Sequence, residues 1–255
     1  MAPKGTREAY ILDRLAQDGS LSVAALSRDL GVSEVTIRAS LKQLEARGLL
    51  ARTHGGAQAS SFQNVLERQH HHPAAKAAIA ATAARLVRDS DTIMVEAGTT
   101  TAALVRGLTR SSGVQVVTNS TLAFAAARLN PALRLTLTGG RFHPESESLV
   151  GFGALRSLAE FNVRLAFIGT DGFTRERGLT TQFADGAEVI RAMVAQAEET
   201  WVLADSSKYG RAGFVNVVPL SAITGVITDA AIGPESLEAL RETGLQVVVA
   251  TGVSG

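Results

Sequence analysis

From residue 74 onward, apolar runs of strand length alternate with amphipathic stretches of helix length, and that alternation constrains the fold more than any other feature. The apolar runs fall at 92–95, 114–117, 133–137, 165–168, 201–204, 225–227 and 246–249. Helical patterns fill the intervals at 74–87, after Gly98, at 121–129, 152–160, 186–198 and 234–242. Strands joined through helices run parallel, so the expectation is an α/β domain with a mainly parallel sheet.

Ligands in such sheets bind beyond the carboxyl ends of the strands. Here those ends are polar. The first reads Glu96-Ala97-Gly98-Thr99-Thr100-Thr101. Its glycine lets the backbone approach a ligand, and hydroxyls meet free amides at a helix start, which suits a phosphate. The Gly-Lys-Ser/Thr ending of a Walker loop is missing, and Gly151-Phe152-Gly153 lacks the third glycine of a dinucleotide fingerprint. The other ends are Thr118-Asn119-Ser120, Thr138-Gly139-Gly140-Arg141, Gly169-Thr170-Asp171-Gly172 and Asp205-Ser206-Ser207-Lys208. One such end is no more than a capped helix; five on one rim describe a sugar-phosphate pocket. The candidate ligand-binding residues are therefore Glu96, Gly98, Thr99, Thr100, Thr101, Asn119, Gly139, Gly140, Asp171, Gly172, Asp205 and Lys208.

Residues 1–57 follow a different pattern. Tyr10, Ile11, Leu12 and Leu15 form a helical stripe closed by Asp18-Gly19. Ser22 is placed to cap a second helix with Val23, Leu26 and Leu30 on one face, and Gly31 to end it. Ser33 then caps a third helix with Ile37, Leu41 and Leu44 inward. Two short helices across Gly31-Val32-Ser33 match a helix-turn-helix. Leu49-Leu50-Ala51-Arg52 reads as a strand, turned back by Thr53-His54-Gly55-Gly56-Ala57 into a β-wing. The third helix keeps Glu34, Thr36, Arg38 and Lys42 for the outside, and Arg38, Lys42, Arg47, Arg52 and His54 cluster within 17 residues. A polar outer face is common to any helical bundle. The glycine-capped turn, the serine caps, the basic cluster and the wing together point to double-stranded DNA. The candidate contacts are Ser22, Ser33, Glu34, Thr36, Arg38, Lys42, Arg52, His54, Gly55 and Gly56.

Residues 58–73 read as a polar linker, which gives a DNA-binding domain at 1–57 and an effector domain at 74–255. His70-His71-His72 lies in that linker. Adjacent side chains splay apart, so a solvated tract fits better than a metal site. The chain has no cysteine, which removes disulfides and thiolate chemistry and favours a reducing cytoplasm. Its apolar runs are too short to span a bilayer, its N-terminus lacks the apolar core of a signal peptide, and the net charge of +1 decides nothing. Neither a metal nor a cofactor is implied, and no membrane partner is expected.

Leu30 to Arg38 and Arg52 to Ala57, with Glu96–Thr101, Thr118-Asn119-Ser120, Gly139-Gly140 and Asp205-Ser206-Ser207-Lys208, resemble the DeoR family of bacterial transcriptional regulators. The resemblance runs over nearly the whole chain, in the family's order. It implies a winged helix-turn-helix followed by an α/β sensor related in fold to ribose-5-phosphate isomerase and CoA transferases. It also implies a homo-oligomer, dimer or tetramer, that represses sugar catabolism and leaves its operator when it binds a phosphorylated sugar or polyol. Two departures stand out. The family's third helix usually continues Thr-Ile-Arg-Arg-Asp-Leu, where this chain has Thr36-Ile37-Arg38-Ala39-Ser40-Leu41, and Glu96 stands where Asp is common.

The alternative is a sugar-phosphate isomerase with an accessory domain. Glu96, Asp171, Glu188 or Asp205 would be its general base and Lys208 would stabilise an enolate. An isomerase has no use for a recognition helix, which favours the regulator.

Overall fold

The computed structural model describes residues 4–18, 20–46, 50–53, 55–59, 65–109 and 111–251, and the chain divides into two compact units, Met1–His71 and His72–Gly255.

The first unit runs α1 (Lys4–Asp18), β1 (Ser20–Ser22), α2 (Val23–Leu30), α3 (Glu34–Ala46), β2 (Leu50–Thr53), β3 (Gly56–Ala59) and α4 (Val65–Arg68). Its core is Ile11 and Leu15 of α1, Val23 and Leu26 of α2, Val32, and Ile37, Leu41 and Leu44 of α3, closed by Leu50 and Ala57. The local signals act as expected from the residues. Ser22 Oγ accepts from the Ala25 amide at 3.1 Å. Gly31 ends α2 at φ 62°, a conformation cheap only for glycine. Ser33 Oγ accepts from the Thr36 amide at 3.3 Å.

The wing differs from the expected hairpin. It is a three-stranded antiparallel sheet in the order β1-β3-β2, with Ser22 opposite Gly56. The reading of Gly55-Gly56 as a turn pair is corrected for Gly56. That residue is buried and paired in β3, and a Cβ there would lie 1.8 Å from the Leu21 carbonyl oxygen. It is glycine because β1 comes too close for any side chain, not because φ is positive. The stretch read as a linker at 58–73 also holds more structure than its composition suggests. β3 continues to Ala59, and α4 carries a fully buried Val65.

The second unit runs α5 (Pro73–Ala84), β4 (Thr92–Val95), α6 (Thr99–Gly107), β5 (Val114–Thr118), α7 (Thr121–Ala127), β6 (Leu133–Leu137), β7 (Arg141–His143), β8 (Ser148–Val150), α8 (Phe152–Leu158), β9 (Val163–Ile168), β10 (Gly172–Thr174) and β11 (Gly178–Thr181). It ends with α9 (Ala184–Ala195), β12 (Ala197–Leu203), β13 (Val215–Asn216), β14 (Gly225–Asp229), α10 (Pro234–Arg241) and β15 (Gln246–Ala250). Seven strands form one parallel sheet in the order β15-β14-β12-β9-β4-β5-β6. One face buries Ile93, Val95, Leu165, Phe167, Trp201 and Leu203 with α5, α6 and α7. The other buries Met94, Ala166, Ile168 and Val202 with α8, α9 and α10. The hairpin β7-β8 and the small antiparallel sheet β10-β11-β13 are additions to this sandwich.

Candidate functional site

Sheet order decides which strand ends meet. β4 is flanked by β9 and β5, and β12 lies beyond β9, so Glu96–Thr101, Gly169–Gly172, Asn119 and Asp205 share one stretch of rim. The centre is the start of α6. Gly98 precedes it with extended backbone and no side chain to cap it. The first amide bonded within the helix is that of Ala102, to the Gly98 carbonyl at 3.0 Å, so the amides of Thr99, Thr100 and Thr101 open the helix. Thr99 is half-exposed; Thr100 and Thr101 are buried. The Thr101 hydroxyl donates to the Gly98 carbonyl at 3.0 Å and so fixes the loop. Glu96 Oε2 accepts from the Gly169 amide at 3.0 Å, tying the ends of β4 and β9.

Asp205 ends β12 and is 5 % exposed. Burial works to raise its carboxyl. The Ser207 hydroxyl and the charges of Lys208, His72 and Lys76 outweigh burial and hold it below its ordinary value. Lys76 was missed from the sequence. It is 7 % exposed in the first turns of α5, which packs beside α6. A signal was present, for Lys76 is the one charge in the helix PAAKAAIAATAA. The start of α6 and three basic side chains thus stand on one edge of the sheet.

Asn119 is 2 % exposed. Its Nδ2 donates to the Leu149 carbonyl at 3.2 Å, and its Oδ1 has no hydrogen-bond partner among the described residues. A buried acceptor left open in this way suits a donor on a ligand. Asp171 is placed differently. Its Oδ2 accepts from the Thr181 hydroxyl and the Gln182 amide, each at 2.9 Å, and so holds the entry to α9. Two glycines are explained by packing. A Cβ at Gly140 would lie 2.7 Å from the Val150 carbonyl oxygen of β8, and one at Gly172 would lie 2.5 Å from the Arg211 carbonyl oxygen, whereas one at Gly139 would make only ordinary contacts. Gly139 and Gly140 follow β6, the edge strand, away from the α6 start.

In the first unit, Ser22 and Ser33 spend their hydroxyls as caps. Thr36 is half-buried and shares a hydrogen bond with Ser33 at 2.9 Å. Arg38 pairs with Glu34 one turn earlier at 2.7 Å. Arg52 binds Glu45 through Nε at 2.9 Å, fastening β2 to α3. Lys42 is exposed, as is Gly55, whose carbonyl accepts from the Val23 amide at 2.9 Å. His54 lies outside the described residues. The two departures in α3 separate cleanly: Ala39 faces water, while Ser40 is 2 % exposed and accepts from Arg7 Nη1 at 3.3 Å.

Residues 7–63 match the DeoR-like helix-turn-helix domain, and residues 71–230 match the DeoR C terminal sensor domain. The chain belongs to the DeoR family. A putative aga operon transcriptional repressor of Escherichia coli O157:H7 is 32 % identical over 95 % of this chain and 93 % of that protein. The HTH-type transcriptional regulator GlpR of Haloferax volcanii is 34 % identical over 95 % and 96 %. The lactose phosphotransferase system repressor of Lactococcus lactis is 34 % identical over 92 % and 94 %. Among solved structures, the translation initiation factor eIF-2B of Pyrococcus horikoshii OT3 is 16 % identical over 88 % of this chain and 86 % of that one, with a TM-score of 0.47. A D-ribose-5-phosphate isomerase is 19 % identical over 52 % and 53 %, with a TM-score of 0.39.

This DeoR-family chain is a DNA-binding transcriptional regulator, not an enzyme. Three of the four carboxylates considered for an isomerase accept hydrogen bonds within this unit. Asp171 and Asp205 hold their own loops, Glu96 bonds the Gly169 amide, and Glu188 is exposed on α9. No helix among the described residues is long and apolar enough to cross a membrane.

Proposed function

We propose that this regulator is a homo-oligomeric cytoplasmic repressor of a carbohydrate operon, released from its operator by a phosphorylated sugar or polyol. The observation that carries the effector class is the start of α6. Three helix-opening amides and the Thr99 hydroxyl lie on the sheet edge that also holds Lys76, His72 and Lys208 around Asp205. A helix N-terminus with added cations favours an anion, and a phosphate fits three convergent amides. Glu96 and the open acceptor of Asn119 stand on the neighbouring strand ends, where hydroxyls of the same molecule would be read. Two of the relatives are named as repressors of an aga operon and of a lactose phosphotransferase system, which supports a sugar operon as the target.

Control by a ligand requires that it bind the DNA-free form more tightly, and the coupling is reciprocal. A coupling of ~1–3 kcal/mol weakens operator binding ~5–150-fold. The test is an anisotropy titration of the full chain on its own upstream DNA, at fixed salt, with a panel of sugars and their phosphate esters. One ester should release the DNA and its parent sugar should not. Operator affinity unchanged across all esters at saturation would defeat the inducer reading.

A further inference from the structure

The line of α3 that points furthest from the core opens with two apolar residues before its lysine. Ile37, Leu41 and Leu44 are buried. At ~100° per residue, the positions opposite them are Val35, Ala39 and Lys42. Val35 is 73 % exposed, and Ala39 is exposed one turn later. The polar residues of the same first turn are turned elsewhere: Thr36 is bonded to Ser33, and Glu34 is paired with Arg38. An exposed valine in the first turn of a helix adds nothing to this core. Arg38 and Lys42, two cations suited to phosphates, follow it along the same helix and are exposed.

Of the four base pairs, only those with thymine offer an apolar group in the major groove, the C5 methyl. We propose that Val35 and Ala39 read thymine methyl groups in the operator, so that part of its sequence specificity is apolar. This rests on α3 being the element that enters the groove. One helical turn spans ~5.4 Å and one base-pair step ~3.4 Å, so the two side chains address neighbouring base pairs. The Ala39 position is occupied by arginine in the resembling family pattern. The replacement trades a long cation for a methyl contact and so shifts operator choice rather than only weakening affinity.

The experiment uses the full chain and a duplex it selects from a random-sequence pool. Each thymine is replaced singly by deoxyuridine, which removes only the methyl. Affinity is read by fluorescence anisotropy at fixed salt. The expected result is a loss of about four-fold, the worth of one buried methyl, at one or two thymines per half-site. In V35S and A39S, both exposed positions that leave the core intact, that loss should vanish at one thymine each. Three results overturn the inference: a flat deoxyuridine scan, sensitivity that persists in both variants, or a change of oligomeric state in V35S without DNA. A pool that yields no enriched sequence defeats sequence-specific DNA binding itself, which separates that failure from this one.

Discussion

Arg164 Nε donates to Asp91 Oδ1 at 2.8 Å, joining the start of β9 to the residue before β4 at the edge of the sheet opposite the candidate site. The same guanidinium also binds Asp91 Oδ2 and the Leu86 carbonyl, so one side chain gathers two strands and the chain following α5. The Arg164 hydrogen bond is the largest influence on the Asp91 carboxyl and, with the Arg88 amide and despite burial, holds it below its ordinary value.

The pair supplies a stability prediction with a definite sign. A carboxylate with a depressed folded pKa stabilises fully above its unfolded value of about 3.9, and the contribution fades as pH falls through the lower folded value. Asp91→Ala should cost about 1.5–3 kcal/mol at pH 7, the worth of hydrogen bonds to a charged group. The gap from wild type should narrow below about pH 4. Trp201 is the sole tryptophan and is buried in β12, so its fluorescence in urea follows this unit. A gap as wide at pH 3 as at pH 7 would show that ion pairing is not its source.

Gly56→Ala forces a Cβ into the Leu21 carbonyl, whereas Gly55 has open space around it. The first change should cost about 1–3 kcal/mol, typical of overpacking, and weaken DNA binding by loosening β1 from β3. Gly55→Ala should be close to neutral. Thermal melts of the two variants, with operator anisotropy, separate them. Equal effects would mean that the β1–β3 approach is not what demands glycine.

Arg38→Ala and Lys42→Ala should each lower the slope of log affinity against log salt by about one unit while leaving effector binding intact. Glu34→Gln should act in the other direction, because it frees Arg38 from its partner and removes a negative charge beside the phosphates. Salt titrations of the three variants on one duplex decide this. Unchanged slopes for both cations would place the DNA elsewhere.

How much of this could be read from the residues depended on length and on default assumptions. All seven strands of the parallel sheet are apolar runs long enough to stand out, and Ser22, Gly31 and Ser33 mark helix ends by their own chemistry. The strands β1, β7, β8, β10, β11 and β13 are two to four residues each, too short for a period. They exist because a partner lies alongside. Val35 was passed over because an apolar side chain is assumed to point inward, and only the positions of Ile37, Leu41 and Leu44 turn it outward. Gly140 looks like part of a ligand loop in sequence, because close packing on β8 and α8 and close approach of a ligand make the same demand.

Lys76 gives the sharpest test of the effector site. Lys76 is 7 % exposed in an alanine-rich helix, and its charge acts on the buried Asp205 carboxyl, on the same edge as the start of α6. Lys76→Gln keeps the length and a donor but removes the charge. It should weaken binding of the phosphate ester about 10–150-fold, the worth of one charge-assisted hydrogen bond. Binding of the parent sugar should change little. Thr99→Val should lose less, since the α6 amides stay in place. Asp205, with its lowered pKa, stays ionised from pH 5 to pH 8, so its titration adds no pH dependence to ester binding in that window. Calorimetry on wild type and both variants measures all of this. If Lys76→Gln weakens ester and sugar alike, the lysine supports the fold and the phosphate must be held by other groups. If it weakens the ester alone, the phosphate lies at the start of α6 beside this lysine.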